Sequence, residues 1–547
     1  MKLNKWLVLG LVCAMAIGVG ACAAKKEEEV KSHTVYFGLF REGAPAKMYK
    51  IQDFEKEYGR KPQMIMWYLD WSQPFPAQNA KNVIDYGSVP VVIWEPWIWG
   101  DEQAIKLQNI ADGEWDTYIN AWAKGVKDFK YPIFIRFAHE FNIEGYPWCI
   151  VNNNQDYELY IEVFQKVVKM FRAAGANNAL FVWNPMNYSY PTESWNDYLK
   201  AYPGDEYVDW IGIDGYNWGT AQTWSDWQTF EQVFVEPVRI LSTNFPNKPI
   251  MLAEFGTAID GGDKAQWFAE IPAYLQSTMK NVHAILYFDI KKETDWRINS
   301  TPESQAAFKK IMANPVFDAS VDDIPTLKVN NLTALEKKSV DIKKAKSAPT
   351  IDGDLGEWGK AEAYVVKGFD RITSGAPKWT GDKDLSSEGK FMYDSDNFYI
   401  AIKVTDDKPF KVNKKDADIW NADAVEIAMS TDSTLDPKRN RYLRNDFQIG
   451  ISPGDNGSAP MVWSWQLQSQ ISGAKVATKK TSDGYILEVS IPWSGLRTVA
   501  PKSGQTVGFT FAIDDADDAD DRETQQVYSG DNLFYKDPSV WGTATYK

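Results

Sequence analysis

Eight short apolar runs recur through the first half of the chain, each too continuous to be one face of an amphipathic helix. They read VYFGLF (35–40), QMIMWYL (63–69), VPVVIW (89–94), YPIFIRFA (131–138), ALFVW (179–183), DWIGID (209–214), PIMLAEF (249–255) and VHAILYF (282–288). Such runs are strands buried on both faces, as in a parallel sheet covered by helices. Most are followed by helical periodicity. YELYIEVFQKVVKMFRAAG (157–175) places apolar residues at i, i+3 and i+4 and stops at Gly175. Eight units over residues 33–314 predict an α/β fold, a (β/α)8 TIM barrel. A doubly wound open sheet is the alternative, but no glycine-rich phosphate turn follows the first run.

Residues 315–346 lose this rhythm, turn polar and lysine-rich, and read as a linker. Beyond them GKFMYD, NFYIAIKV, DAVEIAM, DFQIGI, YILEVSIPW and VGFTFAID alternate with period two, between turns rich in Gly, Asp and Asn. That pattern predicts an antiparallel β-sandwich domain over residues 347–547.

The chain opens MKLNKWLVLGLVCAMAIGVGAC (1–22), two lysines before an apolar run that ends on small residues. This is an export signal, too short for a comfortable membrane span. Val19-Gly20-Ala21-Cys22 resembles a bacterial lipobox, so Cys22 is expected to carry the lipid and become the mature N-terminus. Residues 23–32, with KKEEE, then form a charged tether. Ala23 follows where inner-membrane retention wants Asp, so the expected address is the outer membrane or cell surface. Only Cys22 and Cys149 would remain, and with Cys22 acylated no internal disulfide forms. A net charge of −15 opposes nucleic-acid binding. The chain's 24 Trp, 26 Tyr and 27 Phe supply flat apolar faces that suit sugar rings, so a neutral polysaccharide is the expected partner of a monomer.

Barrels of this kind keep their chemistry at the C-terminal ends of the strands. Glu140 lies just past the fourth run, in IRFAHEFN, and Glu254 ends the seventh, in LAEFG. Two carboxylates across a sugar cleft suit glycoside hydrolysis, one protonating the leaving oxygen and the other attacking the anomeric carbon. Tyr216 and Asp214, at the sixth strand end, are expected to support Glu254. Trp94, Trp97, Trp148, Trp183 and Trp218 fall at strand ends or in following loops and are expected to stack on sugars, one or two serving packing instead. His139 has no His or Cys partner at metal-ligand spacing, so its expected role is orientation or a hydroxyl contact.

RFAHEFN, Trp148, WIGIDGYNWG and KPIMLAEFG together resemble glycoside hydrolase family 26 over residues 33–314. The resemblance implies that Glu140, preceded by His139, is the acid/base, Glu254 the nucleophile, and Tyr216 the tyrosine beside it. It implies retaining, metal-independent hydrolysis of β-1,4-mannan, mixed-linkage β-glucan or β-1,3-xylan. Typical mannanases of the family carry W-F-W-W-G after the acid/base. Here NIEGYPWCI stands there, and VPVVIWEPW with GYPW is more similar to the glucanase-like branch. A non-catalytic glycan-binding lipoprotein is the rival reading, and two retained carboxylates weigh against it.

PTIDGDLGEWGKA, DIWNADAVEIAM, GYILEVSIPW and YKDPSVWG resemble a family 9 carbohydrate-binding module. That resemblance implies an aromatic clamp on a terminal sugar: Trp420 matches the first ring, and Tyr535 stands where the second is usually Trp. Glu426 and Asn532 match polar sugar contacts, while Gly450 replaces an expected arginine. IDDADDADDRE (513–523) reads as an acidic loop, and the resemblance implies a structural calcium ion, though no EF-hand spacing is present. If Cys22 anchors the chain, Cys22→Ser moves it from the membrane to the soluble fraction on fractionation; retention at the membrane would remove the anchor.

Overall fold

The computed structural model describes residues 33–326, 337–359, 361–408, 412, 414–454, 459–517, 521–530 and 533–547. Cys22 and Asn532 therefore lie outside the described residues. Eight strands close into a parallel barrel in sequence order: β1 Tyr36–Arg41, β2 Met64–Asp70, β3 Val89–Glu95, β4 Ile133–Phe137, β5 Ala179–Trp183, β6 Trp210–Asn217, β7 Ile250–Thr257 and β8 Val282–Asp289. The helices are α1 Tyr49–Tyr58, α2 Ala77–Tyr86, α3 Leu107–Ala111, α4 Asp116–Phe129, α5 Tyr157–Ala174, α6 Phe230–Asn244, α7 Lys264–Gln276 and α8 Pro302–Met312. Gly175 closes α5 at φ 81°, a left-handed cap that glycine adopts without a Cβ penalty. Between β5 and β6 there is no α-helix, only the 3₁₀ turns Ser194–Asn196 and Tyr198–Ala201.

Side chains of a strand alternate between faces, and here the two faces form separate apolar layers. Val92, Trp94, Ile135, Phe137, Phe181, Trp183, Ile211 and Leu252 point outward to the helices. Met64, Met66, Val91, Ile93, Phe134, Val182, Trp210 and Met251 point inward and fill the barrel. Continuing the inward set toward the C-terminal ends reaches Tyr68, Glu95, Arg136, Asn184, Asp214 and Tyr216. The barrel axis is thus apolar below and ionisable at the top.

Residues 315–317, read as the start of a linker, pack under the barrel floor. The Val35 N–H donates to Val316 O, and Phe317 is fully buried. Ser339–Lys344, within the same stretch, is a strand in which Val340 and Ile342 face the second core while Asp341 and Lys343 do not. It pairs parallel with both Gly542–Tyr546 and the end of Leu385–Tyr393. That strand joins what would be two layers into one curled, mostly antiparallel sheet of 14 strands, closed around Phe391, Ile402, Ile427, Ile449, Leu487 and Phe511. The sheet also meets the barrel: Ile372 and Ala376 are buried in the same apolar cluster as the outward barrel layer.

Candidate active site

The chain leaves β4 through two non-glycine residues in the left-handed region, Ala138 at φ 48° and Glu140 at φ 52°. Such backbone costs about 1–3 kcal/mol per residue and persists only where its surroundings over-determine it. Here three successive carbonyls that have left the sheet each find a side-chain donor. The Tyr160 hydroxyl donates to Ala138 O (3.2 Å), Trp148 Nε1–H to His139 O (2.6 Å), and the Cys149 thiol to Glu140 O (3.4 Å). The Glu140 N–H donates to Asn184 O (2.7 Å). The turn thereby aims His139 and Glu140 at the barrel axis.

Glu254 is aimed by a different device. The β6–β7 register steps from Ile213↔Leu252 to Asp214↔Glu254, leaving Ala253 as the extra residue of a bulge. The freed Ala253 carbonyl accepts from Arg136 Nη1 at 3.0 Å. Glu254 Oε1 accepts the Tyr216 hydroxyl and Oε2 the Tyr68 hydroxyl, with Arg136 Nη1 3.3 Å from Oε2. Arg136 is wholly buried, bonds Asp214 through Nη2, and is oriented by Asn184 Oδ1 at 3.0 Å from its Nε. Gly212 makes room for that amide, since a Cβ there would lie 2.1 Å from Asn184 Oδ1.

Polar atoms of His139, Glu140 and Asp214 lie within 4.8 Å of one another. Burial pushes the Glu140 carboxyl well above the usual range, and the charges of Asp214 and Glu254 add to it while Arg136 opposes. Burial raises Asp214 as well, but there Arg136 is bonded directly and offsets it. Of the two carboxyls, Glu140 is therefore the one that favours the proton. Burial first, then the Arg136 and Lys292 charges, push the His139 imidazole far down, so it is neutral at pH 7, with Nδ1 unpartnered among the described residues. The positive charge that a bound cation would bring to this trio is already supplied by Arg136.

Of the expected platforms, Trp97 and Trp218 are half-buried at the mouth. Trp94, Trp148 and Trp183 are not available for stacking on sugar. Trp94 is fully buried against Trp122 (4.6 Å) and Trp71 (4.9 Å) because its parity in β3 turns it outward. Trp183 is buried between Phe141 and Tyr202 for the same reason. Trp148 is spent behind His139, its ring stacked at 4.5 Å on Tyr146. Sequence reasoning missed Tyr68, Glu95, Arg136 and Asn184, although a lone arginine within a doubly buried strand was a signal.

In the second domain Trp420 and Tyr535 are exposed. Glu426 is buried, accepting from Gln448 with Gln525 Nε2 3.5 Å away. Position 450 is crowded, since a Cβ would meet Ile419 at 2.5 Å and Trp465 at 2.7 Å and push them aside. The guanidinium beside Trp420 is that of Arg522, 5.1 Å from the ring centroid and 2.9 Å from Asp514.

Residues 108–299 match the model of glycosyl hydrolase family 26, and residues 351–547 that of the carbohydrate family 9 binding domain-like family. The chain is 40% identical over 268 residues to Endoglucanase H of Acetivibrio thermocellus, covering 48% of this chain and 28% of that protein. It is 29% identical over 148 residues to a mannan endo-1,4-beta-mannosidase of Bacillus subtilis, covering 26% and 37%. A solved GH26 beta-mannanase from Bacteroides ovatus is 18% identical, with a TM-score of 0.40 over 56% of this chain and 95% of that one. The chain thus spans well under half the length of these two curated relatives.

Glu95, at the end of β3, is a third buried carboxylate. Its Oε2 accepts both Trp99 Nε1–H (2.9 Å) and Trp97 Nε1–H (3.1 Å). Burial pushes it from 4.5 up to about 7, with the indole donors opposing. A carboxyl raised in the folded state contributes stability that is present below its unfolded value and lost as pH rises toward 7. Glu95→Gln should therefore shrink the loss of stability between pH 4.5 and 7.5 by about 3 kcal/mol, read from urea unfolding at both pH values. Parallel curves for wild type and variant would contradict it.

Proposed function

The chain carries a glycosyl hydrolase family 26 domain joined to a family 9 carbohydrate-binding-like domain, and from that premise we propose that it is a retaining endo-β-glycanase acting on β-glucan. The observation that carries the reading is the division of labour between two buried glutamates. Glu254 has a hydroxyl donor on each oxygen and a guanidinium beside it, which hold its carboxyl in place as the nucleophile. Glu140, pushed up by burial and by Asp214, stays protonated until the leaving oxygen takes its proton. Glu254 then holds the glycosyl group covalently, and Glu140, now a carboxylate, draws a proton from the attacking water. His139, neutral and with a free ring nitrogen, is suited to a sugar hydroxyl.

Glucan is placed first because identity to a protein named an endoglucanase exceeds that to a mannosidase, and because NIEGYPWCI replaces the mannanase-type Trp segment. Mannan is the second reading. The Cys22 lipid would hold the enzyme at the cell envelope, where polymers too large to cross a membrane are met. Glu254→Gln and Glu140→Gln should each lower hydrolysis of barley β-glucan about 10³-fold or more. Newly cut ends should first appear as the β-anomer by proton NMR. Release from glucomannan alone would move the substrate to mannan, and a Glu254→Gln variant of undiminished activity would refute the mechanism.

We also propose that calcium binds the second domain. Oxygens of Asp406, Asp515 and Asp517 lie within 4.8 Å of one another, a hard-oxygen set, and Asp515 Oδ1 is buried without a partner. Burial and the neighbouring carboxylates push Asp515 up to about 9 and Asp406 to about 6, the crowding a divalent cation relieves. Added calcium should raise the midpoint of thermal unfolding, a chelator should lower it, and Asp515→Asn should abolish the difference. An unmoved wild-type midpoint would exclude the site.

A further inference from the structure

The segment between β5 and β6 is the one connection of the barrel without an α-helix, and its first half is fastened to the turn that carries Glu140. Asn142, two residues past Glu140 and fully buried, performs the fastening. Its Nδ2 is shared among Met186 O (3.1 Å), Tyr188 O (2.9 Å) and Ser189 Oγ (3.2 Å), and its Oδ1 accepts the Met186 N–H at 2.8 Å. Its own carbonyl accepts the Tyr190 N–H at 2.9 Å and Asn196 Nδ2 at 2.8 Å. On the other side Met186 forms a bridge to Asp214. A surface loop that only connected two strands would not need a buried amide using every donor and acceptor it owns.

What this scaffold presents is two rings. Tyr188 is 47% and Tyr190 53% exposed, and neither packs against another aromatic ring among the described residues. The Tyr188 carbonyl and the Tyr190 N–H are both bonded to Asn142, two residues past Glu140, so this segment sits on the Glu140 side of the cleft. The proton donor of a glycosidase faces the departing oxygen, so that side belongs to the leaving sugar. Tyrosine offers a sugar a flat face at low cost in side-chain entropy.

We infer that Tyr188 and Tyr190 form the platform for the leaving-group sugars, with Asn142 as the positioning residue that holds them beside the proton donor. The inference rests on the glycosidase reading above. It is tested by comparing kcat/KM on the polysaccharide that the wild type cleaves with kcat/KM on the matching 4-nitrophenyl trioside, whose leaving group is no sugar. Tyr188→Ala and Tyr190→Ala should each lose at least about tenfold more on the polysaccharide than on the aryl trioside. Asn142→Ala should reproduce that split, where a merely structural loss would lower both rates alike. The two tyrosine variants alter half-exposed side chains and keep the test open should Asn142→Ala fold poorly. Equal losses on both substrates, or none, overturn the platform while leaving the glycosidase standing. A wild type that cleaves neither polysaccharide nor aryl trioside overturns the glycosidase reading, and the platform with it.

Discussion

A single buried guanidinium organises the mouth of the barrel. Arg136 bonds Asp214, reaches Glu254, ties down the bulge carbonyl of Ala253 and is itself aimed by Asn184. Breaking a buried ion pair by removing one partner costs about 3–5 kcal/mol, because the remaining charge is stranded in a low dielectric. Here two carboxylates would be stranded together, with Glu140 close by. Three acids and one cation are crowded into one buried cluster, and burial with mutual repulsion pushes the Glu140 carboxyl well up. Tyr68 and Tyr216 donate to Glu254, one hydroxyl to each oxygen, whereas Glu140 is raised by burial and by the charges of Asp214 and Glu254. Two carboxyls of one cleft in such different surroundings are the arrangement on which the roles of proton donor and nucleophile proposed above rest.

That arrangement requires irregular backbone, and much of the aromatic wealth of the chain supports it. Glu140 reaches the axis only through left-handed backbone whose carbonyls no longer pair within the sheet. An unpaired buried carbonyl costs about as much as a lost hydrogen bond. Trp148, Tyr160 and Cys149 supply the missing donors. The lone described cysteine thus has a place without redox chemistry, buried with its thiol pushed up by burial beyond the usual range. Trp97 and Trp99 divide themselves similarly, their N–H groups spent on Glu95.

The barrel was legible because runs buried on both faces have few other folds open to them, and the two glutamates were legible because they end such runs. Which tryptophans reach the cleft follows from parity, a finer signal. In β3 the inward set is Val89, Val91, Ile93 and Glu95, so Trp94 must face the helices; in β5 Val182 faces in, so Trp183 faces out. The same parity, counted from Phe134, would have found Arg136. Asn142 left no such trace. Its partners lie more than 40 residues away in a connection without periodicity, and only the folded chain brings them together. Ser339–Lys344 was hidden for another reason, since two apolar residues among lysines carry too little period-two pattern to separate a strand from a linker.

The second domain shows why a missing residue in a motif is not by itself a missing interaction. Glycine at position 450 looks like a lost cation, yet the space beside it is filled by Trp465 and Ile419, which a side chain there would have to displace. The guanidinium arrives instead from Arg522, on the segment that follows the acidic run, and lies against the exposed Trp420. It is paired with Asp514, which neighbours the buried Glu426 and shares Gln525 with it. Trp420 is thereby covered on one side by a cation already neutralised, leaving an apolar face with limited net charge. Such a surface suits an uncharged ring better than an acidic one.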